Sequence, residues 1–560
     1  MTNLPSHLTF LYGADKAPQL LKRVQKIMAG YRTQILARGG GLTERDSILI
    51  TYGDQVQSPG EKPLQTLGAF CRNYLTGLAS GIHILPFYPW TSDDGFSVTD
   101  HRQVDPALGD WGHISAMQDH FRLMFDAVIN HISSQSEWFQ AFLRDDPHYR
   151  DYFLVVNGSP DLSQVVRPRA LPLLTTFNTP SGEKHVWTTF SDDQIDLNYQ
   201  NPEVLLEVLD ILLMYVRRGA TFIRLDAIAY LWKQIGTPCI HLPQSHRLIQ
   251  FLRAALDEVA PHVQLITETN VPHEDNISYF GNGTNEARMI YNFALPPLIL
   301  NTFRTGDARL LSNWAKALAL PSAQTTFFNF LASHDGIGLN PARGILSDTD
   351  IEALVERTLE HGGLISNKHN AEGRQSPYEL NINYFDALSN PQGNESLELQ
   401  IDRFIAAQAV MLALVGVPGI YFHSLFGSRN WPEGVKQTGR NRTINRQKCD
   451  FESLQRELAD PKSLRARVFA RYRQLLSARS STPAFHPHGT QKILGLHPSA
   501  FALERCSPDK KSRALCLHNV SAQKVNLKAP FESAVNILTD RPVKVSQISL
   551  APYQILWTKL

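Results

Sequence analysis

The sequence predicts an α/β chain: a closed parallel (β/α)8 barrel of the TIM type with an inserted domain after strand 3, a long loop insertion after strand 7, and a small C-terminal antiparallel β domain. Three observations predict it. Eight short runs rich in β-branched and aromatic residues recur between residues 47 and 423, separated by longer stretches with apolar side chains at helical spacing. Two of the intervals, 132–197 and 336–400, are too long for simple crossovers. From about residue 490 the pattern turns to short alternating strands.

Residues 1–45 are expected to form an N-terminal helical extension. Leu20, Leu21, Val24, Ile27, Met28, Tyr31, Ile35 and Leu36 fall at helical spacing with Lys and Arg between them, which predicts a helix over 14–37. The barrel strands are expected at 47–54, 81–89, 123–131, 220–227, 264–269, 288–295, 327–335 and 417–423, so the barrel spans 46–131 and 198–489. The inserted domain, 132–197, is rich in Pro, Arg and aromatics; the second insertion, 336–400, holds Gly, Asn, Lys and Tyr with little periodicity. Both follow the C-terminal end of a strand, where barrels build their substrate rims. Leu515, Leu517, Val525, Leu527, Val535, Ile537, Val543, Val545, Ile555 and Trp557 mark the alternating strands of the C-terminal domain, 490–560.

Composition narrows the function. Lys+Arg 54 against Asp+Glu 53 leaves a formal charge of +1, so no basic field argues for nucleic acid. Cys71, Cys239, Cys449, Cys506 and Cys516 are scattered and lack C-x-x-C spacing, which argues against a zinc site or a disulfide framework. A reducing, cytoplasmic setting is expected. The first residues, MTNLPSH, lack a basic stretch followed by an apolar run, so no secretory leader is expected. No membrane span is expected either, because Glu207 and Asp210 interrupt one apolar run and Pro418-Gly419 another.

The chemistry gathers at the strand ends. The fourth strand, ATFIRLDA, puts Arg224 and Asp226 on one face, because side chains alternate along a strand. An arginine beside an aspartate should lower its pKa and keep Asp226 ionised, a candidate nucleophile. The second strand leads to WTSDDGFS, the third ends DAVINH, the fifth ends TETN and the seventh SHDG, so acids and histidines from several strands converge on one rim. The ordered segments DAVINH, FIRLDAIAY, ITETN and FLASHDGIG closely resemble the α-retaining glycoside hydrolase family that includes α-amylases and sucrose phosphorylases. The resemblance spans nearly the whole chain. It implies Asp226 as nucleophile, Glu268 as general acid/base and Asp335 as transition-state stabiliser. It further implies that Asp93, His131, Arg224, His334 and Arg446 grip a glucosyl unit framed by Phe96, Phe190, Gln194 and Tyr230.

These types suit the reaction. Retaining glycosyl transfer needs an ionised carboxylate about 5 to 5.5 Å from a protonated carboxylic acid. Glu268 follows Leu265-Ile266-Thr267, an apolar strand where desolvation and the neighbouring Asp335 should raise its pKa.

Family members differ in what receives the sugar. VRPRALP, 166–172, is similar to the element that sucrose phosphorylases place over the acceptor, and Tyr378 in SPYEL resembles their acceptor-loop tyrosine. Arg169 and Tyr378 are therefore expected to hold inorganic phosphate, a co-substrate, since a guanidinium offers several fixed donors to a phosphate dianion. Sucrose phosphorylases carry an aspartate two residues before that tyrosine; here Ser376 stands in its place. The same loop supplies Lys368, His369 and Arg374, which suggests an anionic acceptor. FYPWTSDDGFSV, RPRALPLLT, WTTFSDDQIDLNY and ITETNVPHEDNISYFG look most like the branch that phosphorolyses glucosylglycerate. Sucrose, sucrose 6′-phosphate and glucosylglycerol remain alternative donors, and a non-catalytic sugar-binding protein on the same fold the remote one. The expected partners are thus a small glucoside and phosphate, with no nucleic acid and no membrane, and the oligomeric state stays open between monomer and homodimer. Asn130 resembles an asparagine that helps hold calcium in many amylases, but one such residue cannot define an oxygen-ligand site, so no metal is expected. No P-loop or G-x-G-x-x-G follows a strand, and no organic cofactor is expected.

Overall fold

A computed structural model describes residues 3–36, 40–169, 171–369 and 375–560. Eight strands, β1 (Ile48–Thr51), β2 (Gly81–Ile84), β3 (Arg122–Val128), β4 (Ala220–Asp226), β5 (Gln264–Thr267), β6 (Met289–Tyr291), β7 (Thr326–Asn329) and β8 (Val417–Tyr421), form a closed barrel in that order. Each is parallel to both neighbours, and β8 closes on β1 through Ile48 opposite Gly419. Nearly every strand residue is buried, as a sheet covered on one face by helices and filled on the other by its own side chains requires. All eight expected strands are present, with their ends trimmed.

The third crossover shows how the sequence sets β4. Helix Pro202–Arg217 starts with Asn201 accepting from the backbone N–H of Glu203, Pro202 at its first position and Glu203 in its first turn. Gly219 follows at φ +104°, a conformation that L side chains rarely adopt, and a Cβ there would meet the side chain of Gln118 at 2.2 Å. That turn feeds the chain directly into a wholly buried β4.

The first insertion is pinned at its base by His131–Ser133 pairing antiparallel with Gln194–Asp196, and it carries a hairpin of Leu174–Thr179 and Gly182–Trp187. The second forms a three-stranded sheet in which Gln375–Asn381 lies between Ile337–Gly338 and Leu364–His369. The C-terminal domain is a six-stranded antiparallel sheet with a two-stranded companion, and begins at Thr490. Buried Arg505 ties it to the barrel by donating to the carbonyls of Ala413 at 2.8 Å and His486 at 2.9 Å. The N-terminal extension departs from expectation. It contains two helices, Leu4–Tyr12 and Ala17–Arg32, because Gly13 at φ +87° ends the first before the periodic stretch begins.

Candidate active site

Arg224 organises the floor of the barrel's C-terminal face. Its side chain and that of Asp226 do share a face of β4, and its Nη1 donates to Asp226 Oδ1 at 2.8 Å. The same nitrogen donates to Asp126 Oδ1 on β3 at 2.5 Å, and Asp126 Oδ2 lies 2.6 Å from His83 Nε2 on β2. Glu268, one residue past β5, brings Oε1 to 3.8 Å from Arg224 Nη2. Its Oε2 accepts from the backbone N–H of Ala227 at 3.3 Å. That donor is aimed by a left-handed Ala227 at φ +51°, an unfavourable conformation for a residue with a Cβ and one that tends to be kept at working sites. Asp335, past the end of β7, pairs with Arg442 Nη1 at 2.5 Å, and His334 Nε2 stands 3.6 Å from its other oxygen. Three carboxyl groups from three strand ends thus face one cavity of about 380 Å³.

The environment divides them. Burial alone would raise the Asp335 carboxyl, but Arg442, His334, Arg446 and Arg224 outweigh it and hold it well below the usual carboxylate range. Burial raises Glu268, opposed by Arg224 and reinforced by Asp335, as its apolar strand led one to expect. Asp226 departs from expectation. Burial pushes it well above the ordinary carboxylate value even though Arg224 opposes the rise, and Glu268, Asp126 and Asp335 add to it. The guanidinium is shared with a second carboxylate that it approaches more closely, so its pull on Asp226 is diluted. Asp226 and Glu268 therefore retain a proton between them where two ordinary carboxyls would both be charged. Arg224 donates directly to Asp226 and only approaches Glu268, so the guanidinium favours the charged form of Asp226 more than that of Glu268.

Around this floor the structure brings together most of the expected sugar-binding residues. Asp93, Phe96, His131, Phe190, Gln194, Tyr230 and His334 all line the same cavity. Phe96 stacks on His334 with ring centroids 4.8 Å apart, and Phe190 meets Tyr230 edge-on at 5.5 Å. Burial brings the His334 imidazole down to about 3, so it presents neutral nitrogens to the cavity. His131 Nε2 lies 2.8 Å from the Phe96 carbonyl and 3.1 Å from Gln194 Nε2. Arg224 sits beneath, its guanidinium 5.6 Å from the Phe96 ring. Arg446 is the exception. It is not among the cavity-lining side chains: it pairs with Asp94, donates to the His334 carbonyl at 2.7 Å and stands 3.6 Å from Asp335 Oδ1. Arg442, four residues earlier, does line the cavity beside Asp335, and it also holds buried Glu379 through two hydrogen bonds of 3.0 and 3.1 Å.

The rim comes from the two insertions. Arg169 and Tyr378 both line the cavity, Arg169 paired with Asp93 at 2.8 Å and Tyr378 Oη 3.4 Å from Asn270 Nδ2. Lys368 also lines it, donating to Asn340 Oδ1 at 2.9 Å; Arg374 lies outside the described residues. Arg343, at the cavity wall beside them, was missed by sequence reasoning because GLNPARG carries no periodicity and no recognised motif.

Asn130 does not fit a calcium ion. Buried Lys233 donates to its Oδ1 at 2.9 Å and to Asp196 at 2.6 Å, so an ammonium already fills the electrostatic role of a cation there. Among the described residues no group of three or more His, Cys, Asp or Glu side chains could hold a metal ion.

Comparison with known proteins agrees with this geometry. Residues 73–337 match the family model of the α-amylase catalytic domain. The chain is 52% identical to a glucosylglycerate phosphorylase of Allomeiothermus silvanus, over 98% of this chain and 97% of that one. It is 48% identical to a glucosylglycerate phosphorylase of Spirochaeta thermophila over the same shares. The crystal structure of sucrose 6F-phosphate phosphorylase from Thermoanaerobacter thermosaccharolyticum superposes with a TM-score of 0.76 at 24% identity, covering 90% of this chain and 99% of that one, which shows the shared fold.

Proposed function

The chain belongs to the α-amylase catalytic-domain family, among its disaccharide phosphorylases, and we propose that it converts 2-O-α-D-glucosyl-D-glycerate and phosphate into α-D-glucose 1-phosphate and D-glycerate. The observation that carries this reading is the likeness to glucosylglycerate phosphorylases from end to end, rim insertions included. The cavity supports it, with a carboxyl pair sharing a proton on its floor and cations on its rim.

In the first step Glu268 protonates the glycerate oxygen as the glycosidic bond breaks, and ionised Asp226 attacks the anomeric carbon to form a β-linked glucosyl ester. Phosphate then replaces glycerate. Glu268, now a carboxylate, takes a proton from it as a phosphate oxygen displaces Asp226, and two inversions give net retention. Asp335, held ionised by Arg442, accepts from sugar hydroxyls and stabilises the positive charge that develops at the ring. Arg169 and Tyr378 are assigned to phosphate, and neither a metal nor an organic cofactor takes part.

A reducing, cytoplasmic setting belongs to the same reading, supported by five free cysteines and by the absence, among the described residues, of a helix long and apolar enough to cross a membrane. The test is donor cleavage with and without phosphate, across glucosylglycerate, sucrose, sucrose 6′-phosphate and glucosylglycerol. Phosphate-dependent release of α-glucose 1-phosphate from glucosylglycerate, well ahead of the other three, is expected. Rapid cleavage without phosphate, or a marked preference for sucrose, would overturn the assignment.

A further inference from the structure

Leaving aside Arg167 of the first insertion, the arginines and the lysine that line the cavity fall into two sets. Arg442 is paired with Asp335 and Glu379, and Arg169 with Asp93. Arg343 and Lys368 have no acidic partner among the described residues. Both are held on one side of the mouth by the second insertion. Lys368 donates to Asn340, and Arg343 Nη2 reaches the Pro377 carbonyl at 3.3 Å while its buried Nε finds no partner among the described residues. Burial and the nearby Arg343 both depress the Lys368 amine, the signature of two positive charges kept close without a counter-ion. A buried donor without a partner costs free energy, so a wall that carries one beside two uncompensated cations is built for an anion.

Which anion follows from where these residues stand. Arg169 contacts Asp93 of the sugar subsite, whereas Arg343 and Lys368 are held by Pro377 and Asn340 of the second insertion. When phosphate attacks, its charge sits on the other oxygens of the phosphorus that is bonded directly to the reacting oxygen. In 2-O-linked glycerate the reacting oxygen is attached to C2 and the carboxylate is one carbon–carbon bond further from the anomeric centre. The cation that contacts the sugar subsite suits phosphate, and the pair held by the second insertion suits a carboxylate.

We propose that Arg343 and Lys368 form the subsite that recognises the carboxylate of the organic-acid acceptor, separate from the group that holds phosphate. This rests on the proposed reaction and adds the residues that select its acid. The test starts from α-glucose 1-phosphate, which loads the glucosyl enzyme without glycerate. Transfer to glycerate, transfer to glycerol, and exchange of labelled phosphate into α-glucose 1-phosphate are measured for the wild type, Arg343→Gln, Lys368→Gln and Arg343→Lys. For the two Gln variants the ratio of glycerate transfer to phosphate exchange, compared as kcat/KM, is expected to fall on the order of a hundredfold. The preference for glycerate over glycerol should collapse with it, and Arg343→Lys should recover part of both. Exchange itself reports whether each variant is folded and can form the glucosyl enzyme. Transfer to glycerate and phosphate exchange falling in equal proportion, or an undiminished glycerate preference, would overturn the proposal. A wild type with no preference for glycerate over glycerol would instead overturn the parent reading.

Discussion

The floor and the rim of the cavity solve opposite electrostatic problems. On the floor every arginine is matched: Arg224 by Asp126 and Asp226, and Arg442 by Asp335 and Glu379. On the second insertion Arg343 and Lys368 are left unmatched. A matched floor holds its charges in place before the sugar arrives, which suits bond-making steps that need fixed geometry. An unmatched rim gains most of its stabilisation when an anion arrives, which suits a choice between acceptors. In the proposed reaction chemistry and selectivity fall on different elements, the first on strand ends and the second on loops.

The largest expected effect strikes the floor. Asp226→Asn keeps the shape but removes the nucleophile, and kcat for both glycerate release and phosphate exchange should fall by about 10⁴-fold or more, read in steady-state assays. A rim variant cannot imitate that result, because it spares the formation of the glucosyl ester. Retention of appreciable turnover in Asp226→Asn would place the covalent step elsewhere and dissolve the distinction.

A smaller effect is expected where the first insertion joins the floor. Lys233 is buried between Asp196 and Asn130, and Asp196 pairs in register with His131 at the cavity wall. Lys233→Met leaves a buried carboxylate without its partner, and such losses cost about 3–5 kcal/mol. Chemical denaturation should show a shift of that order in the earliest transition. An unchanged midpoint would mean that Asp196 finds compensation from Thr189, which already donates to it from its backbone N–H at 2.8 Å and its hydroxyl at 2.7 Å.

Much of the floor was legible from sequence because strand alternation is a local rule. Arg224 and Asp226 two residues apart must share a face, and polar residues at the ends of parallel strands must converge. The aromatics and histidines that line the cavity followed from ordered motifs. What the sequence hid depends on paths and sums. Which of Arg442 and Arg446 reaches the cavity depends on how the chain turns through Gly439 at φ +67° and the 3-10 turn Asn441–Asn445, and residue identity does not encode that. The direction of the Asp226 shift depends on burial and on charges from four strand ends at once, where the Arg-x-Asp dipeptide displays only one of them. Arg343 was invisible because its importance lies in lacking a partner, and a missing counter-ion leaves no mark in a motif.

The subtlest expected effect has the sign that separates floor from rim most finely. A carboxyl whose folded-state pKa is raised binds its proton more tightly in the folded chain, so it costs stability once the pH exceeds the ordinary value near 4.3. The cost grows until the folded-state value is passed. Burial raises Glu268 in this way, and Glu268→Gln, a neutral group of the same shape, removes the cost. Its melting temperature should therefore exceed that of the wild type by roughly 1–3 °C at pH 8, with the gain shrinking as pH falls toward 5. Asp335, held below the carboxylate range by its arginines, contributes stability above its ordinary value, so Asp335→Asn should move the melting temperature down over the same pH range. Opposite signs from two acids facing one cavity would mean that the floor gives up stability at the proton donor and recovers it at the charge stabiliser. Scanning calorimetry of both variants from pH 5 to 8 reads the difference directly, and a destabilised Glu268→Gln would show that the ionised form of Glu268 is the one the fold prefers.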